Sequence, residues 1–493
     1  MNTDAKSVEI RDKFLMHIDR MFILAGVPEE QAKQDAQVVL QMESAMAKSA
    51  MDIVKRRDPK YLDNEMDLAA VKQLTPSFKW DLYLESIHAP ASSTYIVTSP
   101  DFFRAIEQLI KGEPLNHWKA YLKWQLLSGL ANAAGEDLVN EDFAFNGQVL
   151  FGAKQIQPLW RRCIQSEDRD IGEALGQTYA ARYFPPESKQ RMLNMVKNIE
   201  AALAADIDSM DWMSPETKKQ ADIKLAAQLD KIGYPDHWRD YSALEIRADN
   251  HLANIERSAA FEVDRQMKKI GKPLDRTEWG MTPPTVNAYE DPQTNTINFP
   301  AGILQPPLFD ATKDDVVNYA AAGAVIGHET IHGYDDQGRK FDEKGNLRDW
   351  WTADDAKAYD KRGDCIADEY TEKIPELGVK QNGRLTQGEN TADNGGIHLA
   401  LAALQQDLKQ RGQSLDGKDA DGITGWQRFF LAYANVWCSS WTPETMRTAV
   451  LSDPHPLDRY RVNNVLGNMP EFAKAFGCRK GQPMVHENAC RVW

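Results

Sequence analysis

The motif H-E-x-x-H occupies residues 328–332, inside an apolar stretch with helical periodicity. A spacing of four residues places His328 and His332 one turn apart on the same helix face, so both imidazoles can bind one ion at about 2.0–2.1 Å. Glu329 is rotated by roughly 100° around the helix, where it can face a metal-bound water. The motif predicts a metal centre; the alternative is a helix with two hydrogen-bonded structural histidines. A metal centre also requires a third protein ligand to reach this helix.

The best candidate for the third ligand is Glu389, which follows His332 by 57 positions. That interval is long enough for a second helix to return beside the first. Asp393 follows Glu389 by four residues, so on a helix both carboxylates point to one side. One of them can bind the metal while the other accepts a hydrogen bond from a ligand imidazole. Taken alone, the acidic pair also fits a solvated helix start, and the nearby motif favours the metal interpretation.

A proline-rich segment near the C-terminus, residues 453–461, contains His455 and Arg461. A histidine and an arginine in such a loop suit the stabilisation of an oxyanion and the binding of a carbonyl oxygen. A surface histidine in a loop is the more common case, so the segment by itself is a weak indication.

The rest of the chain is mostly helical in pattern. Apolar residues recur at helical spacing, with Pro and Gly between the segments, over 31–54, 102–110, 117–134, 188–208, 214–232 and 243–270. After Trp279, residues 285–289 and 296–299 have the pattern of a β-hairpin or of two extended strands. Helical periodicity resumes at Thr312, where Thr312 and Asp315 resemble a capping box. The sequence therefore predicts a mainly α protein with a domain boundary near residue 280.

Charge and composition exclude several classes of protein. The formal net charge of −15 makes contact with nucleic acid phosphates unfavourable. The longest apolar run, around residues 319–327, has about ten residues, and a bilayer span needs roughly 20. The first 14 residues lack the apolar core of a secretory signal. Five cysteines without C-x-x-C spacing argue against a cysteine zinc cluster.

These motifs together resemble the neprilysin / endothelin-converting enzyme family of zinc metallopeptidases, including its bacterial oligopeptidases. The segments that carry the resemblance are VNAY (286–289), FPAGILQPP (299–307), VIGHETIHGYDDQG (325–338), 388–396 and the terminal CRVW (490–493). The resemblance is specific over 280–493 and looser over 1–279. It implies a mainly α, two-lobed fold. Residues 1–279 would form a helical capping domain, incomplete at its N-terminus, and residues 280–493 a zincin-type catalytic domain with a small β-sheet.

The same resemblance implies a zinc-dependent endopeptidase that hydrolyses oligopeptides by attack of a zinc-bound water. The expected ligands of one Zn²⁺ per chain are His328, His332 and Glu389. Glu329 would activate the water as general base, and Asp393 would orient His328. His455 would stabilise the oxyanion, and Arg461 would bind a substrate carbonyl.

Further residues match the family's substrate-binding positions. Asn287 and Ala288 would bind the peptide backbone as an additional strand, a mode that makes few demands on side chains. A preference for a large apolar residue after the cleaved bond is expected from an apolar pocket formed by Ile303, Leu308, Val325, Val436 and Trp437. The sequence departs from the family at Glu290, where a second aromatic residue is usual. Glu290 is expected to add a negative charge near the substrate strand.

The resemblance also implies a disulfide between Cys365 and Cys490 and a periplasmic or extracellular location, with a cytoplasmic one left open. The expected partners are oligopeptide substrates, with no nucleic acid and no transmembrane segment. One alternative is a shortened chain that is inactive or only binds peptides, against which the intact catalytic residues count. Another is a thermolysin-like peptidase with the same H-E-x-x-H motif, against which Asn-Ala-Tyr at 287–289 and the terminal CRVW count.

Overall fold

The computed structural model describes residues 2–493. Its helices, in chain order, are α1 (Ala5–Leu24), α2 (Glu29–Ser49), α3 (Pro59–Leu62), α4 (Leu68–Leu74), α5 (Trp80–Ser86), α6 (Pro100–Gly112), α7 (Leu115–Leu130), α8 (Glu136–Asp142), α9 (Leu159–Tyr183), α10 (Pro186–Ser209), α11 (Pro215–Ala226), α12 (His251–Met267), α13 (Asp315–Asn318), α14 (Ala324–His332), α15 (Ala353–Glu369), α16 (Gln387–Gln410), α17 (Gly425–Val436), α18 (Pro443–Ser452), α19 (Asp458–Gly467) and α20 (Pro470–Phe476). The strands are β1 (Glu65–Met66), β2 (Tyr95–Ile96), β3 (Leu229–Gly233), β4 (Tyr289–Asp291), β5 (Thr296–Pro300), β6 (Lys373–Ile374) and β7 (Val379–Lys380). The predicted mainly α fold with small sheets is confirmed.

The chain divides into two compact units that are each discontinuous in sequence. The first comprises the described residues up to 166, with 240–273 and 442–448, and the second comprises residues 167–239, 274–441 and 449–493. The sequence predicts a single boundary near residue 280, whereas residues 167–239 belong to the same unit as the H-E-x-x-H helix. The physical reason is that β3 pairs with β5 and α10 packs against α16.

The core of the first unit is formed by α1, α2 and α7. The buried residues of α1 and α2 recur at spacings of three and four, as expected for amphipathic helices: they are Ile18, Met21 and Phe22 on α1 and Ala32, Ala36 and Val39 on α2. Trp124 of α7 joins this cluster and donates its indole N–H to Glu43 at 3.1 Å. The small alanines of α2 allow the larger side chains of α1 to pack closely against it.

The second unit contains a three-stranded sheet with the order β3-β5-β4. The buried central strand β5 pairs in parallel with β3 and antiparallel with β4, so β4 lies at the sheet edge. The predicted hairpin is present, but its first strand begins at Tyr289 instead of Thr285. The predicted helix over 214–232 is wrong beyond Ala226, because residues 229–233 pair with β5. A short apolar run has no decisive period, and strand pairing determines its conformation.

The H-E-x-x-H motif ends one continuous helical run. This run begins at Asp315, passes through a π-helical turn at Tyr319–Gly323 and ends with α14. Its cap is Asp314, whose carboxylate accepts the N–H of Val317 at 3.1 Å. The predicted capping box at Thr312 and Asp315 is therefore wrong, since Thr312 instead donates to Asp310.

Two glycines bring α14 and α16 into backbone contact. A Cβ added to Gly396 of α16 would lie 2.5 Å from the backbone nitrogen of His328 and 2.8 Å from the Ala324 oxygen. A Cβ added to Gly327 of α14 would overlap the Gly396 carbonyl. Any larger residue at either position would force the helices apart. This close crossing places the histidines of α14 beside the carboxylates of α16.

The C-terminus is anchored in the second unit by a disulfide and by Trp493. Cys365 of α15 and Cys490 form the disulfide that the resemblance predicts, with a Cα–Cα distance of 5.7 Å. The buried ring of Trp493 contacts the rings of Tyr334 and Tyr359. Within residues 2–493, no helix combines the length and apolar character that crossing a membrane requires.

Candidate metal centre

His328, His332 and Glu389 converge on one point in the structure. The two histidine Nε2 atoms are 3.0 Å apart. One oxygen of Glu389, Oε2, lies 3.4 Å from Nε2 of His328 and 3.3 Å from Nε2 of His332. The edges of a zinc tetrahedron with bonds of about 2.0–2.1 Å are roughly 3.3 Å long. The three predicted ligand atoms therefore have the mutual spacing of a tetrahedral zinc site.

The hydrogen bonds of the two imidazoles also fit a metal ion. Nδ1 of His328 is 2.8 Å from Asp393, and Nδ1 of His332 is 2.8 Å from Asp335. Each Nδ1 therefore carries the donated proton, which leaves both Nε2 lone pairs directed at the same point. The buried Oε2 of Glu389 faces both of these Nε2 atoms, at 3.4 and 3.3 Å. A cation is the species that satisfies two lone pairs and a carboxylate oxygen together, so the donor set fits zinc.

Glu329 lies beside this ligand set without being needed to complete it. Its carboxylate is within 4.8 Å of the ligand atoms of both motif histidines. The side chain is 6% exposed, and burial raises the pKa of its carboxyl group. A carboxylate with a raised pKa next to a metal point can accept a proton from water, which suits a general base.

The charges of the site favour a bound cation. Burial would raise the pKa of Glu389, yet the facing imidazoles of His332 and His328 hold that pKa well below its usual value. Burial lowers the pKa of His328, but Asp393 and Glu389 outweigh it and raise that pKa. The ionised carboxylates thus attract either protons or a metal to the imidazoles, and the two compete.

His455 lies at the open side of the ligand set. Its side chain is 47% exposed, and its Nε2 is 3.1 Å from Glu389. Its backbone and side-chain nitrogens both bond to Asp453, at 2.8 and 2.7 Å. Burial lowers the pKa of His455, but Asp453 and Glu389 together raise it to about 9. The imidazole is therefore protonated at neutral pH and can donate a hydrogen bond to a developing oxyanion.

Arg461 is held against the carboxylate of Asp393, the residue that also contacts His328. Its Nε and Nη2 donate to the two oxygens of Asp393, both at 2.7 Å. The guanidinium carbon lies 3.8 Å from the ring centre of Trp437, and the hydroxyl of Tyr433 donates to the Arg461 carbonyl at 2.9 Å. Arg461 thus has a clear contact with Asp393, and its predicted contact with a substrate carbonyl stays a prediction.

The predicted substrate-binding residues lie on several segments of the second unit. Asn287 is exposed and immediately precedes the buried Ala288 and the edge strand β4. The backbone of Leu308 accepts the N–H of Ala322 at 3.2 Å, which places the loop of residues 301–309 against the helical run of the motif. Ile303 is buried, and the partly buried side chains in the set are Leu308, Val325, Val436 and Trp437. Their assignment to one pocket remains a prediction.

Glu290 does not lie where the resemblance suggests. One of its oxygens is fully buried and without a hydrogen-bond partner. A Cβ added to Gly333 would lie 3.7 Å from that oxygen and also 3.7 Å from Cε of Lys224, so both side chains approach Gly333. The carboxyl group of Glu290 is therefore directed into the protein, toward Lys224, and burial raises its pKa to about 8. The reason is strand alternation, which turns every second side chain of β4 inward.

Two partners of the site were not singled out by sequence reasoning. Asp335 bonds to His332, and Asp453 bonds to His455. The signal for both was an aspartate two or three residues from a candidate histidine, since short spacings allow a carboxylate to reach the imidazole.

Comparisons with known proteins identify the family of this chain. A sequence profile of peptidase family M13 matches residues 287–492, and a second profile of the same family matches residues 1–235. The chain belongs to peptidase family M13. This M13 chain is 32% identical to an endothelin-converting enzyme homolog of Locusta migratoria, over 98% of this chain and 69% of that protein. It is 32% identical to endothelin-converting enzyme 1 of Homo sapiens, over 96% of this chain but only 62% of that protein.

Solved structures of two bacterial proteins have the same fold as this chain. The M13 chain is similar to the crystal structure of Mycobacterium tuberculosis zinc metalloprotease ZMP1 in complex with inhibitor, with a TM-score of 0.94 and 34% identity. That match covers 99% of this chain and 75% of the other. PepO from Lactobacillus rhamnosis HN001 matches with a TM-score of 0.92 and 27% identity, over 100% of this chain and 76% of the other. The predicted family resemblance is confirmed.

Proposed function

We propose that this M13 chain is a zinc-dependent endopeptidase that hydrolyses oligopeptides. The observation that carries the proposal is the triangle of His328, His332 and Glu389, whose edges of 3.0, 3.4 and 3.3 Å match a tetrahedral zinc site. Zinc bound by three protein groups retains a fourth position, as in catalytic centres. An inactive or binding-only chain is less favoured, because every group needed for hydrolysis is present.

Zinc, when bound, would lower the pKa of water and polarise a carbonyl group. Glu329 would take the proton from the attacking water and later pass it to the leaving amine, a task that suits its raised pKa. Asp393 would hold His328 in the Nδ1-protonated form, and Arg461 would in turn hold Asp393. His455, whose Nδ1 is held by Asp453, would donate a hydrogen bond to the oxyanion.

Substrate binding would use the free edge of β4 and an apolar pocket. Asn287 and Ala288 immediately precede this edge strand, so an extended peptide could add to the sheet through main-chain hydrogen bonds. Ile303, Leu308, Val325, Val436 and Trp437 would form the pocket for a large apolar residue after the cleaved bond. We also propose an extracellular or periplasmic location, because the Cys365–Cys490 disulfide is typical of oxidising compartments.

The test is cleavage of two quenched oligopeptides that differ only in the residue after the cleaved bond, Phe or Asp. Metal content is measured on the same preparation, with and without a chelator. About one zinc per chain and chelator-sensitive cleavage of the Phe peptide are expected. Preferential cleavage of the Asp peptide would contradict the specificity, and zinc without cleavage would favour the binding-only alternative.

Glu329→Gln is the matched control because it replaces one oxygen by an amide and leaves the ligands in place. It should retain zinc and lower the rate by about 10²–10⁴-fold, the usual contribution of a general acid–base group. A fully active Glu329→Gln variant would exclude the proposed role of Glu329.

A further inference from the structure

Lys224 of α11 is buried beneath the C-terminal end of the metal-site helix α14. Its side chain is 1% exposed, and its ammonium group donates three hydrogen bonds to backbone carbonyls. The acceptors are the oxygens of Gly333 at 2.6 Å, Gly338 at 2.8 Å and Phe341 at 3.0 Å. An ammonium has three N–H donors, so all of them are used. Lys224 thus occupies a cage of carbonyl oxygens, as a bound cation would.

The three carbonyls belong to one loop that leads away from the motif. Gly333 directly follows His332 and ends α14, where backbone carbonyls lack helical partners and attract positive charge. Gly338 and Phe341 lie further along the same loop. A single side chain therefore fixes both ends of the segment 333–341.

This segment contains the carboxylate that orients His332. Asp335 Oδ2 is 2.8 Å from Nδ1 of His332. Asp335 Oδ1 accepts the backbone N–H groups of Gln337 and Gly338, both at 2.8 Å. Gly338 thus donates to Asp335 through its nitrogen and accepts from Lys224 through its oxygen. The chain of contacts from Lys224 to the metal-facing imidazole is continuous.

Neighbouring carboxyl groups offset part of the cost of burying the ammonium group of Lys224. Burial lowers the pKa of its ammonium group, and the carboxylates of Glu290, Asp335 and Asp342 oppose that shift. Glu290 also supplies the buried oxygen that has no hydrogen-bond partner. A charged lysine in this position costs desolvation energy, and its three hydrogen bonds to backbone carbonyls offset that cost. What the lysine adds over an apolar residue is therefore its hold on the carbonyls of the 333–341 loop.

We propose that Lys224 is a positioning residue of the metal centre, which holds the 333–341 loop so that Asp335 fixes the orientation of His332. The proposal rests on the proposed zinc site, but it concerns metal affinity and geometry and does not require peptidase activity. Lys224 touches neither metal nor substrate and acts through Asp335.

The test compares Lys224→Met with Lys231→Met. Lys231 of β3 is also buried, at 8% exposure, and donates to the Glu278 carbonyl at 2.6 Å. It is therefore a control for the loss of a buried lysine in the same unit. Zinc affinity is measured by chelator competition, and ligand geometry by the visible spectrum of the Co²⁺-loaded protein. Lys224→Met should bind zinc about 10–100-fold more weakly, as expected for loss of an outer-shell group, and should alter the Co²⁺ spectrum. Lys231→Met should change neither.

A double-mutant cycle with Asp335→Asn separates positioning from general destabilisation. If Lys224 acts through Asp335, the double variant should bind zinc about as weakly as the weaker single variant. The proposal would be overturned if the loss of zinc affinity in the double variant equalled the product of the losses in the two single variants. It would also be overturned if folded Lys224→Met bound zinc as tightly as the wild type. If Lys224→Met does not fold, as judged by the near-UV signal of the buried aromatic residues, Lys224→Gln is tested by the same criteria. A wild-type chain that binds zinc normally but cleaves no peptide would contradict the proposed function and leave this inference standing.

Discussion

The crossing of α14 and α16 predicts a specific effect for Gly396→Ala. The new Cβ would lie 2.5 Å from the backbone nitrogen of His328 and 2.9 Å from its Cα, whereas ordinary contacts begin at 3.4 Å. The obstructing atoms are backbone, so no side chain can rotate away. The helices must therefore separate by about 1 Å.

The magnitude follows from the positions of the ligands. Glu389 lies seven residues before Gly396, two turns along α16, while His328 and His332 lie on α14. Separation by about 1 Å would extend the Glu389–imidazole distances well beyond a zinc tetrahedron, and metal–ligand distances tolerate only about 0.2 Å. We expect zinc affinity to fall by about 100-fold or more. Overpacking should cost roughly 1–3 kcal/mol of stability, partly offset by up to about 1 kcal/mol from the better helix propensity of alanine.

The assay is chelator competition for zinc together with denaturant unfolding. Gly323→Ala is the matched control, because its Cβ would meet Tyr319 at 3.4 Å and Ala400 at 3.6 Å, which are ordinary contacts. That variant should bind zinc like the wild type and be equally or slightly more stable. If Gly396→Ala bound zinc within about threefold of the wild type, the argument that this backbone contact sets the ligand spacing would be refuted.

Three further predictions concern other parts of the second unit. Replacing Cys365 and Cys490 by serine should reduce the free energy of unfolding by about 5 kcal/mol in the chain-entropy model, since the disulfide closes a loop of 125 residues. Denaturant unfolding measures this loss, with Cys438→Ser, at an exposed free cysteine, as the control. An equal loss of stability in the double variant and in the control would contradict the prediction. Burial lowers the pKa of His398 to about 3, so the folded state binds fewer protons than the unfolded state below pH 6.5, and stability falls as the pH falls. Between pH 8 and pH 5, the His398→Gln variant should therefore lose about 2 kcal/mol less unfolding free energy than the wild type. An equal loss in the variant and the wild type would exclude this role of His398. His455→Ala should lower kcat by about 10²–10³-fold while zinc content stays unchanged, which steady-state kinetics and metal analysis can check.

Much of the candidate site could be predicted because its signals are local. The spacing of His328 and His332 is a property of any α-helix, and the structure places both on α14. The four-residue interval between Glu389 and Asp393 likewise puts both carboxylates on one side of α16. The disulfide and the family were predicted from the resemblance. Where the local signal was ambiguous, as over residues 229–233, the helical pattern gave the wrong element, because pairing with β5 outweighs periodicity.

The sequence by itself indicated which side chains can bind a metal, which can act as a base, and where most of the helices lie. Only the tertiary structure brings Glu389 to both imidazoles and Asp393 to Nδ1 of His328. It also decided that Glu290 turns inward and that Lys224, 109 positions before Gly333, holds the loop after the motif. Ligand type and helical spacing are encoded within a few residues. Contacts between distant segments depend on the path of the whole backbone and on close approaches such as that of Gly327 and Gly396.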